Sequence, residues 1–72
     1  MSESTAGVLD VVALLADRPA DGLARGQVGT IVEFLGGDTV LVEFSDDTGR
    51  AYAIVPCQQS ELLTLHYMPQ AA

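Results

Sequence analysis

The alternation of hydrophobic and polar residues is clearest in residues 39–45. Val40, Val42 and Phe44 fall on one side of an extended chain, and Leu41 and Glu43 fall on the other. Because successive side chains of a strand point to opposite faces, this period predicts a β-strand with one buried face. We expect Val40, Val42 and Phe44 to form the centre of the core.

Turn signals divide the rest of the chain into short apolar segments. Gly36-Gly37-Asp38 and the stretch 46–49 are typical of tight hairpin turns. Residues 17–25 contain Pro19 and form the longest predicted loop. The nearly continuous apolar residues of the first segment fit a strand or a short helix, and their richness in valine favours a strand. The predicted strands cover residues 8–15, 28–35, 39–45, 50–55 and 63–67.

The remaining predictions about local structure concern the end of the fourth predicted strand and the position of Phe34. Pro56 is expected to stop that strand, and Ser60 is expected to cap a single helical turn within residues 58–62. Phe34 is in phase with Val28 and Val32 and is expected in the core. The predicted fold is therefore all-β, a small five-stranded SH3-like barrel with a one-turn helix before the last strand. We expect the barrel to span residues 7–68, with flexible termini at 1–6 and 69–72.

Composition and charge limit the classes of ligand and the cellular location that we expect for this protein. The 72 residues make one domain of marginal stability, and ten carboxylates against three arginines and no lysine give a net charge of −7. Such a surface repels phosphate, which makes nucleic acids and membranes poor ligands and a basic protein the better partner. The longest apolar run, residues 11–16, is too short to cross a membrane. Cys57 is the only cysteine, so we expect a cytoplasmic protein.

Two glycines in RGQVGTIVEF raise the question of a ligand-binding loop. Gly26 and Gly29 lack the spacing of a dinucleotide fingerprint, and no helix follows them to hold a phosphate. We therefore expect Gly26 to shape a turn and Gly29 to permit a bulge or a close approach of two backbones.

Few residues are candidates for metal binding or catalysis. Asp38, Glu43, Asp46 and Asp47 have the oxygen ligands of a cation site but not the spacing of a calcium loop, and aspartates are common in exposed turns. Cys57 and His66 supply fewer ligands than a zinc site needs. As a nucleophile and base they lack a sequence feature that brings them together. We predict no catalytic residue, no metal and no cofactor.

The charged and aromatic residues of the loops are the candidates for binding a partner. The three arginines are expected to pair with neighbouring aspartates, Arg18 with Asp17 or Asp21 and Arg50 with Asp46 or Asp47, and Arg50 beside Tyr52 has the alternative role of an interface anchor. The candidate partner-binding residues are Arg18, Asp21, Arg25, Asp46, Asp47, Arg50, Tyr52 and Tyr67.

These residues favour a non-enzymatic protein-binding module. A partner would be held at loop 17–25 and the hairpin tip 46–49, or along a sheet edge by strand addition. One version is an adaptor or an immunity or antitoxin-like protein that its charge steers onto a basic toxin. The alternative is a self-associating accessory or structural subunit of a larger enzyme complex, with a homodimer as its simplest form. A metal-dependent hydrolase or a redox protein is a third class.

Three stretches carry a resemblance to a known family. LLADRPADGLARGQVGTIVEF, LVEFSDDTGRAYAIV and ELLTLHY resemble a family of short, mostly bacterial proteins known as domain of unknown function 4926, over residues 8–68. The resemblance implies a small β barrel, no established activity and no assigned site residues. RGQVGTIV is also similar to a glycine-containing strand pair in ribosomal and transcription-elongation barrels that contact RNA. Those barrels use basic residues to meet phosphate, and this chain has almost none.

Overall fold

Five antiparallel strands form a single sheet. The computed structural model describes residues 7–66. The strands are β1 (Val11–Leu14), β2 (Val28–Gly36), β3 (Thr39–Ser45), β4 (Ala51–Gln58) and β5 (Leu62–Thr64), in the order β4-β3-β2-β1-β5. Short 3₁₀ turns lie at Pro19–Asp21 and at Gln59–Glu61, the latter between β4 and β5. This is the strand arrangement of a small SH3-like barrel, so the predicted fold class is confirmed. The described ladder is not closed between β4 and β5.

The buried core lies against the inner face of the sheet. Val40, Val42 and Phe44 have no exposed surface, which confirms the face predicted for β3. They pack with buried residues from the other strands and the first long loop: Val12, Leu14, Leu23, Ile31, Val55 and Cys57. Since no polar side chain is buried among the described residues, burial of apolar surface is the main favourable term for folding.

Two bulges change the phase of β2. Ile31 pairs with Val42, but the next pair joins Glu33 to Leu41, so Val32 is an extra residue. The prediction that Phe34 is buried in phase with Val28 and Val32 is wrong. Val28 and Val32 are exposed, and Phe34 lies opposite Val40 near the end of the strand with 44% of its surface exposed.

Gly26 and Gly29 have structural roles in a turn and in the packing of two strands. Gly26 has a φ of 90° in the turn before β2, a conformation that other residues rarely adopt. Gly29 is buried opposite Phe44, where a Cβ atom would lie 2.9 Å from the Phe44 ring and 2.7 Å from Val42 Cγ1. Both structural roles, a turn at Gly26 and a close approach at Gly29, are confirmed.

Strand boundaries differ from the predicted ones at both ends of the chain. β1 begins at Val11 because residues 7–10 form a turn in which the Gly7 N–H donates to the Asp10 carboxylate at 2.7 Å. At the other end, β5 covers only Leu62–Thr64. The predicted termini 1–6 and 69–72, and Tyr67, lie outside the described residues.

Pro56 does not end β4, contrary to the prediction. The strand continues to Gln58, and Pro56 lies opposite Leu41. Because β4 is an edge strand, proline can occupy a position whose N–H would point away from the sheet. The predicted helical turn follows, but Ser60 lies within it, and the Gln58 N–H donates to Glu61 Oε1 at 2.8 Å across its start.

Candidate functional site

The long loop between β1 and β2 is ordered by its own backbone. Arg18 and Leu23 exchange two backbone hydrogen bonds, of 2.8 and 3.0 Å, around the turn Pro19–Asp21. Gly22 ends that turn with a φ of 72°. Leu23 is 4% exposed and belongs to the core. This loop is therefore fixed to the barrel by burial.

Arg18 joins the loop to the segment between β4 and β5. Its Nε lies 2.9 Å from Asp21 Oδ2, and its Nη1 lies 3.3 Å from Glu61 Oε1 and 3.7 Å from Cys57 Sγ. The predicted pairing with Asp21 is confirmed. Glu61 could not be predicted as a partner because it lies 43 residues away in sequence. The loop is thus fastened to the end of β4 and to the turn that connects β4 with β5.

Cys57 is a buried side chain of the core. It is 1% exposed, and burial raises the pKa of its thiol, an effect that the nearby Arg18 guanidinium opposes only in part. Its sulfur contacts Arg18 and, at 3.9 Å, the Val55 carbonyl oxygen. A protonated, inaccessible thiol is a poor nucleophile, which fits the packing role expected for this residue.

The hairpin tip between β3 and β4 is organised by Asp46. Oδ1 of Asp46 accepts hydrogen bonds from the Thr48 hydroxyl at 2.6 Å, the Thr48 N–H at 2.9 Å and the Arg50 N–H at 3.0 Å. The Thr48 hydroxyl and then these amides lower the pKa of the Asp46 carboxyl. Gly49 ends the turn in the left-handed conformation, with a φ of 88°, so the hairpin turn predicted at 46–49 is confirmed.

The predicted side-chain pairing of Arg50 is wrong. Within residues 7–66, the ion pairs are those of Arg18, and Arg50 reaches Asp46 through its backbone N–H. Arg50 is exposed, and its guanidinium forms no ion pair with a described residue.

A second set of contacts joins the end of the long loop to the beginning of β4. Gln27 Nε2 donates to the Tyr52 hydroxyl at 2.8 Å, and the Arg25 N–H donates to Asp17 Oδ1 at 2.8 Å. Tyr52 and the hairpin tip therefore lie near one end of β4, whereas Arg25 is bonded within the loop to Asp17, which precedes Arg18. Arg18 and Asp21 lie near the other end of β4.

Apart from Arg25, the predicted binding residues that the structure describes are thus divided between the two ends of β4, and Tyr67 lies outside the described chain. Whether any of them binds a partner stays a prediction. The four carboxylates considered as cation ligands are also dispersed. Asp38 and Asp46 flank the seven residues of β3, which separates them by roughly 26 Å along an extended strand. No group of three metal-binding side chains occurs within residues 7–66.

The outer face of β2, β3 and β4 was missed as a candidate surface. It combines exposed apolar residues with two carboxylates, and we call it the acidic face: Thr30, Val32, Glu33, Leu41, Glu43, Ile54 and Pro56. Ile54 is 55% exposed, and Glu33 and Pro56 are also exposed. The alternation of β3 already placed Leu41 and Glu43 opposite the core. The bulge that adds Val32 was not visible in the sequence.

The comparisons identify a family but no activity. The family model described as Domain of unknown function (DUF4926) matches residues 8–64, and the chain belongs to this family. No curated protein and no solved structure matches the chain. In the part of the chain that the structure describes, no helix has the length and hydrophobicity needed to span a bilayer.

Proposed function

We propose that this member of the DUF4926 family is a non-enzymatic protein-binding module whose partner presents a basic surface. The observation that carries the proposal is the acidic face, where exposed apolar side chains such as Ile54 lie beside the exposed Glu33 and the half-buried Glu43. Exposed apolar patches bordered by charge are typical of protein interfaces. We place the module in the cytoplasm because a single cysteine suits a reducing compartment.

The charge of the chain supports a basic partner. The chain has ten carboxylates and only three arginines. One of these arginines, Arg18, forms ion pairs with Asp21 and Glu61. A field of one sign accelerates the encounter with a partner of the opposite sign and disfavours anionic ligands such as nucleic acids. An adaptor or an immunity or antitoxin-like protein that binds a basic toxin is the concrete form of this proposal.

The environment of the reactive side chains supports a non-enzymatic role. The Cys57 thiol is buried with a raised pKa, and Asp46 uses one carboxylate oxygen to hold its own turn. A nucleophile needs access and an adjacent base, and a metal needs several converging ligands. The environments of Cys57 and Asp46 fit structural roles instead.

A self-associating accessory subunit is the second candidate. Leu63, Ala13 and Val28 lie side by side across β5, β1 and β2 on the outer surface, and no charged residue lies in this row. Leu63 is 52% exposed and Val28 is 47% exposed. Contact through this row would bury the same apolar surface in both copies without placing carboxylates directly opposite one another.

A binding panel with sedimentation tests the proposal. Fluorescence anisotropy would compare three labelled peptides of equal length, composed of Lys and Leu, of Glu and Leu, and of Lys and Ser. We expect the Lys/Leu peptide to bind best, the Glu/Leu peptide not to bind, and the affinity to fall as salt is raised. Absence of binding by both cationic peptides at low salt would refute the proposal. A stable dimer at micromolar concentration without peptide binding would favour the second candidate.

A further inference from the structure

We propose that the basic partner docks on the acidic face, by contact with side chains rather than by extension of the sheet. This inference rests on the proposed function and adds the surface and the chemistry of the partner. The partner would present lysine or arginine side chains beside apolar residues.

The register places the acidic face in two adjacent rows. Thr30, Glu43 and Ile54 lie opposite one another across β2, β3 and β4. The next row contains Glu33, Leu41 and Pro56, with the extra residue Val32 beside Glu33. Opposing side chains on one face have Cβ atoms about 4.5–5.5 Å apart, so the rows form a continuous patch.

The charges of this patch are unbalanced. Glu33 and Glu43 are diagonal neighbours, whose separation is about 7–8 Å in such a ladder. No cation lies among the seven residues of the acidic face. The nearest basic residue along these strands, Arg50, lies beyond the end of β3 at the hairpin tip. A lysine or arginine placed between the two glutamates would relieve their mutual repulsion, and Ile54 and Leu41 would offer apolar contact on either side.

The edge of β4 is poorly suited to strand addition. Because hydrogen-bonded pairs alternate along the antiparallel ladder with β3, residues 54, 56 and 58 direct their backbone groups away from the sheet. Pro56 has no N–H, and the Gln58 N–H already donates to Glu61 Oε1. Ile54 is left as the single free donor of these three positions. An added strand needs a row of free groups.

The edge of β5 has even fewer free backbone groups for an added strand. The strand has three residues, and the Leu62 N–H donates to the Gln59 carbonyl oxygen. Both edges therefore favour docking on a face over augmentation of the sheet.

The charge also argues against a second copy as the occupant. Symmetric contact through the acidic face would bring Glu33 and Glu43 of one copy against the same residues of the other, and each copy carries −7. Like charges facing each other across an interface are strongly unfavourable. Charge complementarity therefore selects a cationic partner for this face.

Matched charge reversals test the inference with the Lys/Leu peptide as the probe. We expect Glu33→Lys and Glu43→Lys each to weaken binding by about tenfold, since each removes an attraction and adds a repulsion. Asp47→Lys makes the same change in net charge at the hairpin tip, where Asp47 is exposed, and is expected to weaken binding less than twofold. Thermal melts would verify that all three variants are folded.

An apolar pair of variants tests the other half of the patch. Ile54→Thr is expected to weaken binding several-fold. Val28→Thr, at a position of similar exposure on the row formed with Ala13 and Leu63, is expected to leave binding unchanged. Equal effects of Asp47→Lys and Glu43→Lys would overturn the inference, as would unchanged binding by Ile54→Thr. In those cases the proposed function still stands if the unaltered chain binds. A dimer that Ile54→Thr dissociates would show that a second copy is the occupant and would equally overturn it.

Discussion

Single residues decide how closely the strands of this barrel approach. Gly29 lets β2 lie directly against Phe44, the largest fully buried side chain. Val32 does the opposite, since one extra residue turns Glu33 towards the outer face and Phe34 towards the end of the core. Asp46 fixes a turn with one carboxylate oxygen. Each effect depends on a single atom or a single inserted residue.

Substitution of Gly29 tests the close approach of β2 and β3. An added Cβ would lie 2.7 Å from Val42 Cγ1 and 2.9 Å from the Glu43 backbone oxygen, so Gly29→Ala forces the strands apart. We expect the free energy of unfolding to fall by about 1–3 kcal/mol, which urea denaturation would measure. Gly7→Ala is the control, because its Cβ would meet Asp10 Oδ2 at an ordinary 3.8 Å. Equal stabilities of the two variants would contradict this packing.

Titration of Asp46 tests the hairpin turn. The pKa of Asp46 is lowered, so its contribution to stability is present above the pKa of the unfolded chain and is lost as pH falls through the folded value. We expect the NMR titration midpoint of this carboxyl to lie below the ordinary aspartate value of about 3.9. The Thr48 and Arg50 amides should lose protection from exchange over the same acidic range. Asp46→Asn keeps an acceptor oxygen without a titrating group, and persistence of the acid transition in that variant would refute the assignment.

Elements differ in how well the sequence predicts them. The alternation of β3 indicated its buried face because that strand is central, with one covered side and no bulge within its apolar residues. The prediction that Phe34 lies in the core is wrong because a bulge cannot be recognised from the alternation of apolar and polar residues. The prediction that Pro56 ends β4 is wrong because a proline is tolerated in an edge strand. Whether β4 is an edge strand depends on the order of the strands in the sheet. Contacts such as Arg18 with Glu61 depend on the same assembly.

Pro56 provides a test at the scale of the strand. Replacing Pro56 with valine restores an N–H on the outward side of β4 and keeps a residue compatible with a strand. We expect Pro56→Val to associate through its edge at concentrations where the unaltered chain does not, as seen by analytical ultracentrifugation. Pro19→Val, in the loop, is the control and should not associate. Identical sedimentation of Pro56→Val and the unaltered chain would contradict the protective role of this proline.

The whole molecule combines a small apolar core with a surface of one dominant sign. Leu23 fixes the longest loop to the core and Arg18 fixes it to the turn between β4 and β5, so this loop stabilises the fold. The net charge was readable from the sequence, as was the outward position of Leu41 and Glu43, but the other residues of the acidic face were not. Their concentration on the outer face of three strands required the register of the sheet.

Chemical-shift mapping tests the central claim most directly. The isotope-labelled chain would be titrated with the Lys/Leu peptide, and amide shifts would be followed in two-dimensional NMR spectra. We predict the largest changes at the acidic face, above all at Glu33, Glu43 and Ile54, with small changes at the hairpin tip 46–50. Changes confined to loop 17–25 and the hairpin tip, or no changes at all, would contradict the account.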